Sequence, residues 1–135
     1  NNNLRGCIGI IIPTNMIFNN VHDYTIKSSE DYRFKNNPIT LKEIKELTHS
    51  ITLLNDKKLI NDIKEWKLGK DGIILECEKD NASRSAIYLP SVPTEQGWKE
   101  IDTMESLSRK AGVNENDWDN KKICKIFIIP GYEFN

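Results

Sequence analysis

The most constraining feature of the chain is a pair of apolar segments separated by a short polar loop. Residues 73–78 and 85–89 are largely apolar or β-branched, and the loop 79–84 between them is polar. The dipeptide Asp71-Gly72, typical of a tight turn, precedes the first segment. The pattern predicts an antiparallel hairpin of strands at 73–78 and 85–89. The remaining elements must therefore be arranged around an antiparallel pair.

The other predicted elements alternate irregularly between helix and strand. Strands are predicted at 50–54 and 123–129, helices at 16–32 and 40–47, and residues 59–66 are ambiguous. The short helix begins at the capping-box pattern Thr40-x-x-Glu43, and we expect Leu41, Ile44 and Leu47 to point inward. Without a repeating strand–helix–strand rhythm, the order favours an α+β fold with a mostly antiparallel sheet and flanking helices.

Two prolines and a glycine delimit the last predicted helix. Pro90 and Pro93 are expected to interrupt regular structure before it. The helix then begins near Asp102-x-x-Glu105 and ends at Gly112, with Arg109 and Lys110 in its last turn. The spacing places three apolar side chains on its inner face: Met104, Leu107 and Ala111.

Composition limits the classes of function that the chain can have. Its 135 residues suit a single domain, and 19 basic against 20 acidic side chains give a net charge of −1. No overall field therefore favours a nucleic acid or an acidic membrane. The apolar runs are far shorter than the ~20 residues of a membrane-spanning helix, and the start does not resemble a signal peptide.

The cysteines indicate a reducing compartment. Cys7, Cys77 and Cys124 are an odd number at wide spacings, with no C-x-x-C pair and no histidine arranged to complete a zinc site. We expect reduced thiols in the cytoplasm or nucleus, no structural metal and no cofactor.

A lone thiol between two glycines begins the chain's most β-branched run. Leu4-Arg5-Gly6-Cys7-Ile8-Gly9 continues into Ile10-Ile11-Ile12-Pro13, and the run predicts a strand. Period-two alternation would place Leu4, Ile8, Ile10 and Ile12 on a core face and Arg5, Cys7, Gly9 and Ile11 on the other. The glycines would leave the backbone open, and the guanidinium would favour the thiolate. Alternatively, the glycines mark a bulge and Cys7 is a small buried side chain.

Seven separated motifs resemble one known family and occur in its order. They are Leu4–Gly9 (LRGCIG), 31–34 (DYRF), 50–54 (SITLL), 66–73 (WKLGKDGI), 88–92 (YLPSV), 95–98 (EQGW) and 109–112 (RKAG). The chain resembles the AMMECR domain from Leu4 to about Phe127, and three stretches look closer to its eukaryotic form. These are Tyr24-Thr25-Ile26, Trp66 and residues 86–90.

The resemblance implies a fold and a location for a site, but no reaction. It implies two packed lobes around a cleft lined by the LRGCIG motif, in a single domain, 1–135, that lacks the family's N-terminal strand and helix. Prokaryotic relatives tend to be encoded beside, or fused with, a Memo-like protein and a radical-SAM enzyme. That association suggests a link to RNA or small-molecule modification without giving a mechanism.

The candidate site residues have functional and structural interpretations. Cys7 is the candidate nucleophile, and His22 and His49 are the only imidazoles that could serve it as a base. The candidate ligand-binding residues are Arg5, Gly6, Gly9, Asp31, Arg33, Glu95 and Lys110. Asp31 and Arg33 could instead cap a helix or pair locally, and Glu95 and Lys110 could be solvated or ion-paired.

Two classes of function remain open from the sequence. The first is a binding module whose cleft, built around Arg5, Cys7 and Gly9, docks a protein partner or a small anionic ligand. The second is an enzyme that uses Cys7 as a nucleophile or redox centre. Nucleic acid is the least supported partner because no basic stripe accompanies the tryptophans, and no membrane partner is expected.

Overall fold

The chain divides into two compact units. The computed structural model describes residues 3–10 and 14–134. The first unit comprises the described residues up to Ile51, and the second comprises Thr52–Phe134. The α-helices are α1 (Ile17–Ser29), α2 (Ser91–Gln96) and α3 (Glu100–Ala111). The strands are β1 (Ile51–Leu54), β2 (Lys58–Ile60), β3 (Gly72–Lys79), β4 (Ala82–Tyr88), β5 (Cys124–Ile129) and β6 (Gly131–Phe134).

The predicted hairpin is confirmed as β3 and β4, with a shorter connection than expected. The two strands pair antiparallel from Ile73 opposite Tyr88 to Lys79 opposite Ala82. Only Asp80 and Asn81 connect them, and both have positive φ angles, 54° and 58°. This conformation is typical of a type I′ turn, whose twist matches that of the strands and which Asp and Asn tolerate.

An antiparallel sheet covered by α3 forms the core of the second unit. Its strand order is β2-β5-β3-β4, and each neighbouring pair is antiparallel. Ile73 and Leu75 of β3 belong to the same buried cluster as Met104 and Leu107 of α3, and all four are 0% exposed. These contacts confirm the inward face predicted for α3 and the α+β class.

The ends of α3 explain why its prediction succeeds. The Asp102 carboxylate accepts a hydrogen bond from the backbone N–H of Lys99 at 3.0 Å, so the helix begins two residues before Asp102. Gly112 ends it at a φ of 84°, a left-handed conformation that glycine adopts at low cost. By contrast, the predicted break at Pro93 is wrong. Pro93 lies in the first turn of α2, where its missing N–H would have had no intrahelical acceptor.

The first unit departs further from the predictions. Helix α1 is confirmed over a shorter range, but the N-terminal strand is wrong, because residues 3–10 form no regular secondary structure; Ile11, Ile12 and Pro13 lie outside the described residues. The predicted helix at 40–47 is only a turn followed by a 3-10 helix at Ile44–Glu46. Leu41 and Ile44 are 86% and 50% exposed, so their predicted inward orientation is also wrong.

The second unit contains two short sheet segments that the sequence left unassigned. β2 pairs with β5, and the ambiguous segment 59–66 resolves into the end of β2, a turn and a 3-10 helix at Ile63–Glu65. β6 follows Pro130 and lies beside β1 in a two-stranded sheet. The predicted strands at 50–54 and 123–129 are confirmed as β1 and β5 with slightly shorter bounds.

A disulfide between Cys77 and Cys124 overturns the expectation of reduced thiols. The register places the two residues directly opposite each other on β3 and β5, with their Cα atoms 4.1 Å apart. The next pair, Glu78 and Ile123, shares a backbone hydrogen bond of 2.9 Å, so the cysteines occupy a non-hydrogen-bonded pair. Side chains are closest at such pairs in antiparallel sheets, and the sequence alone does not reveal this long-range register.

The described residues contain neither a candidate membrane-spanning helix nor a candidate metal-binding group. They include no helix that is both long and apolar enough to cross a membrane. Nor does this part of the chain hold a group of three or more His, Cys, Asp or Glu side chains that could bind a metal ion.

Candidate functional site

The Leu4–Gly9 segment is packed closely against α1 at Gly6. A Cβ atom added at Gly6 would lie 2.0 Å from the backbone oxygen of Ser28 and 3.1 Å from its Oγ. Glycine is therefore required here by close contact with another backbone. The prediction that the glycines leave the backbone open is wrong at Gly6, whereas Gly9 is exposed.

Arg5 joins this segment to residues 37–43. Its Nε donates to Glu43 Oε1 at 2.9 Å, and its Nη2 donates to the backbone oxygen of Asn37 at 2.7 Å. The Arg5 side chain is only 16% exposed. The backbone N–H of Thr40, and then the Arg5 guanidinium, hold the pKa of Glu43 below its usual value. The largely buried side chain of Arg5 thus holds the segment in place through its hydrogen bonds to Glu43 and Asn37.

Asp31 joins the same segment to the turn that follows α1. One carboxylate oxygen, Oδ2, accepts from the backbone N–H of Cys7 at 2.9 Å and from Arg33 Nη2 at 2.7 Å. The other, Oδ1, accepts from the backbone N–H and the Nε of Arg33, both at 3.1 Å. Chiefly through the Arg33 guanidinium, this network holds the pKa of Asp31 well below its usual range. The expectation that Asp31 and Arg33 cap and pair locally describes this geometry.

The two arginines share an aromatic neighbour, Phe34. The guanidinium carbons of Arg5 and Arg33 lie 5.8 Å and 5.5 Å from the centre of its ring. Both distances fall within the range of cation–π attraction. The arginines differ in access, because the Arg33 side chain is 58% exposed and that of Arg5 is 16% exposed.

Cys7 is half-buried. Its backbone N–H donates to Asp31, and the Nε and Nη2 of Arg5 donate to Glu43 and Asn37. Of the two imidazoles, His22 lies 3.3 Å from Asp23, and His49 is exposed. The half-buried thiol is therefore neither fully accessible to a ligand nor a fully buried core side chain.

The candidate residues Glu95 and Lys110 belong to the second unit. Glu95 is exposed on α2. Lys110 donates to the backbone oxygen of Ile87 at 2.7 Å and lies 4.5 Å from the centre of the Tyr88 ring. A polar cleft formed by these residues with Arg5 stays a prediction.

Sequence reasoning missed several partners of the candidate residues. Ser28, Asn37 and Glu43 each make a defining contact with the Leu4–Gly9 segment. The capping-box pattern at Thr40 and Glu43 was a usable signal, because Glu43 does accept from the Thr40 backbone N–H at 2.9 Å. Its second role, binding Arg5, depends on a contact 38 residues away along the chain.

Replacing Gly6 with alanine is expected to destabilise the first unit by about 1–3 kcal/mol, the usual cost of overpacking. The added Cβ would overlap the backbone oxygen of Ser28, so the segment must move. Amide hydrogen exchange should show lost protection at Cys7, whose N–H is bound to Asp31. Gly9→Ala, at an exposed position of the same segment, is the control. Rescue of Gly6→Ala by Ser28→Ala would contradict a backbone clash.

Comparison with known proteins identifies the family. A sequence model of the AMMECR1 family matches residues 1–128. The chain belongs to the AMMECR1 family. The matched range, residues 1–128, includes every motif on which the resemblance was based.

AMMECR1 relatives occur in plants, yeasts and prokaryotes. An uncharacterized protein of Arabidopsis thaliana is 41% identical over 114 residues, a match that covers 82% of this chain and 52% of that protein. One from Schizosaccharomyces pombe is 37% identical over 109 residues, covering 81% and 55%. The chain thus spans about half the length of these curated relatives.

A solved structure supports the fold. The uncharacterized protein from Pyrococcus horikoshii has a TM-score of 0.73 and 28% sequence identity, over 96% of this chain and 63% of that one. The identities to the plant and yeast proteins are higher, which agrees with a form closer to the eukaryotic one. The plant, yeast and archaeal relatives are all uncharacterized, so their names indicate no function for this chain.

Proposed function

We propose that this AMMECR1 chain is a binding module in which the Leu4–Gly9 segment and the Asp31–Phe34 turn dock an anionic group. The exposed guanidinium of Arg33, held by the buried carboxylate of Asp31, carries the proposal. A guanidinium carries five N–H donors, so one whose Nε and Nη2 pair with a carboxylate can also donate to a second anion. Asp31 restricts the rotamers of Arg33, which lowers the entropy lost on binding.

The other residues of the segment have supporting roles. Arg5 and Gly6 hold the segment against the rest of the first unit, and the Cys7 backbone N–H joins it to Asp31. Ile8 is 44% exposed and Gly9 is also exposed, so both can contact a ligand beside Arg33. Partner proteins would carry any chemistry on RNA or small molecules.

Amide chemical shifts in a labelled sample test the proposal. Inorganic phosphate and a glutamate-rich peptide are titrated separately, and the shifts of Ile8, Gly9 and Arg33 are followed. Saturable shifts are expected with one of these probes, and Arg33→Gln should weaken binding by roughly tenfold or more, as for a lost charged hydrogen bond. The matched control is Lys35→Gln, another exposed cation that follows the same turn.

The outcomes separate the sources of the anionic group. Saturation by phosphate supports a small ligand, and saturation by the peptide alone supports an acidic segment of a protein partner. Equal weakening by Arg33→Gln and Lys35→Gln, or no saturable shift with either probe, would refute the proposal. Salt-sensitive retention on RNA would instead favour a nucleic-acid partner.

The enzyme alternative requires a reactive Cys7. Alkylation of the oxidised protein at several pH values measures the apparent pKa of this thiol, because Cys77 and Cys124 are joined in the disulfide. A midpoint near the ~8.5 of an ordinary thiol counts against a nucleophile. Ligand binding by Cys7→Ser equal to that of the unchanged protein would favour the binding module.

A further inference from the structure

A groove on the second unit is lined in part by Cys124, one of the two disulfide cysteines, which is 3% exposed. It has a volume of about 450 Å³, and its lining includes Leu59, Asp62, Trp118, Lys121, Cys124 and Ile126. Cys124 is the first residue of β5 and therefore lies where the sheet meets the 117–121 segment. Among the described residues the lining includes Cys124 but not Cys77. The two cysteines are equally buried, at 3% exposure, and differ in that only Cys124 borders the groove.

Arg84 lies next to the other end of the disulfide. It is directly opposite Cys77 on the neighbouring strand β4, so both side chains are on the same face of the sheet. Its Nη1 donates to the backbone oxygen of Gly112 at 3.3 Å. Its Nε is buried and has no hydrogen-bond partner among the described residues. A guanidinium with a buried, unsatisfied Nε would stabilise a thiolate that forms on Cys77.

We propose that Cys124 is a modification site at which a small thiol of the glutathione type undergoes thiol–disulfide exchange with the Cys77–Cys124 bond. The attacking thiolate enters the groove and forms a bond to Cys124 Sγ. The bond between the two cysteine sulfurs breaks, and its electron pair leaves with Cys77 Sγ beside Arg84. The product is a mixed disulfide on Cys124 and a thiolate on Cys77.

The mixed disulfide can react further in two ways. The Cys77 thiolate can attack Cys124 Sγ, which restores the original bond and releases the small thiol. A second small thiol can instead attack the mixed disulfide, which releases the Cys124 thiolate and the oxidised dimer of the small thiol. In that case two small thiols supply the two electrons that reduce the protein.

The groove is lined by side chains of both charges. Lys121 and Lys125 line it together with Asp62 and Asp119. The Asp119 and Asp62 carboxylates balance these cations overall, so selectivity depends on the cation nearest the entering thiol. Lys121 is exposed, and its neighbour Lys122 is an exposed cation outside the lining, which provides a matched comparison.

Trapping the mixed disulfide tests the site of attack. The folded Cys7→Ser protein is mixed with reduced glutathione, quenched with acid and treated with N-ethylmaleimide, and the modified peptides are identified by mass spectrometry. Glutathione is expected on Cys124 and the maleimide on Cys77. Glutathione on Cys77, on both cysteines equally, or on neither until the protein is unfolded would overturn the proposal.

Two sets of variants test the surroundings of the sulfurs. Arg84→Gln should slow exchange by roughly threefold, because a leaving thiol without the nearby guanidinium is more basic and leaves more slowly. Arg109→Gln, an exposed arginine on α3, should leave the rate unchanged. Lys121→Glu should slow glutathione by roughly threefold, as expected for an exposed charge, with little effect on 2-mercaptoethanol. An equal effect of Lys122→Glu, or of Arg109→Gln, would contradict the proposed geometry.

The proposal is independent of the anion-binding function, because every residue that it uses belongs to the second unit. Loss of anion binding in Arg33→Gln would leave the glutathione result unchanged, so the two experiments fail separately.

Discussion

Replacing both Cys77 and Cys124 with alanine is expected to lower the free energy of unfolding by about 4 kcal/mol. The disulfide spans 47 residues, and loop-entropy estimates give about 3 kcal/mol for a 15-residue loop and about 4.7 kcal/mol for a 100-residue loop. Urea denaturation followed by circular dichroism measures the change. Because both cysteines are only 3% exposed, alanine avoids placing a new polar group in the core.

Two comparisons isolate the contribution of the cross-link. Cys7→Ala should have the stability of the unchanged protein to within about 1 kcal/mol, since a half-buried side chain is removed and no loop is opened. Reduction of the unchanged protein should reproduce most of the loss seen in the double variant. If the reduced and oxidised proteins unfold at the same urea concentration, the disulfide does not stabilise the fold.

Replacing Leu107 with alanine is expected to cost about 2–5 kcal/mol, the range for a large buried side chain that leaves a cavity. Leu107 is 0% exposed and packs in the cluster shared by α3 and the sheet. Urea denaturation again provides the measurement. The loss should be accompanied by little change in the slope of the transition, because a single side chain changes the exposed area only slightly.

Ile101→Ala, on the same helix, is the matched control for Leu107→Ala. Ile101 is 49% exposed, so its truncation should cost no more than about 1 kcal/mol. The two variants lose similar apolar groups from one helix and differ in burial. Equal losses would show that burial of Leu107 against the sheet does not account for the stability of α3, because alanine has the higher helix propensity at both sites.

The second unit could be predicted well because its signals are local. The hairpin follows from two apolar segments joined by a polar loop, although the observed turn is shorter than the predicted loop at 79–84. Helix α3 follows from Gly112 and the spacing of Met104 and Leu107. In each case the sequence pattern and the tertiary contacts favour the same structure. The disulfide lay beyond these signals, because it depends on the register of strands separated by 47 residues.

The first unit shows where local propensity fails. Ile8 and Ile10 favour a strand, yet residues 3–10 form none, since β propensity needs a neighbouring strand to take effect. No residue of α1 is fully buried, so burial of apolar side chains contributes little to the stability of this helix. In this unit, polar contacts such as Arg5 with Glu43 determine the arrangement.

The candidate site could be predicted only in outline. The family motifs indicated Arg5, Cys7, Asp31 and Arg33, and the structure brings these residues into one unit. The different roles of Arg5 and Arg33 could not be predicted, because they depend on how deeply each side chain is buried, which the sequence does not show. The Arg5 side chain is 16% exposed and that of Arg33 58% exposed, although both are arginines beside Phe34.

The long-range contacts of Arg5 have a consequence during synthesis on the ribosome. The Leu4–Gly9 segment leaves the exit tunnel well before Glu43, which is 38 residues downstream of Arg5. At typical translation rates this interval lasts roughly two to eight seconds. During that time the nascent segment lacks its Glu43 contact, so its isoleucines are accessible to chaperones that recognise unfolded chains.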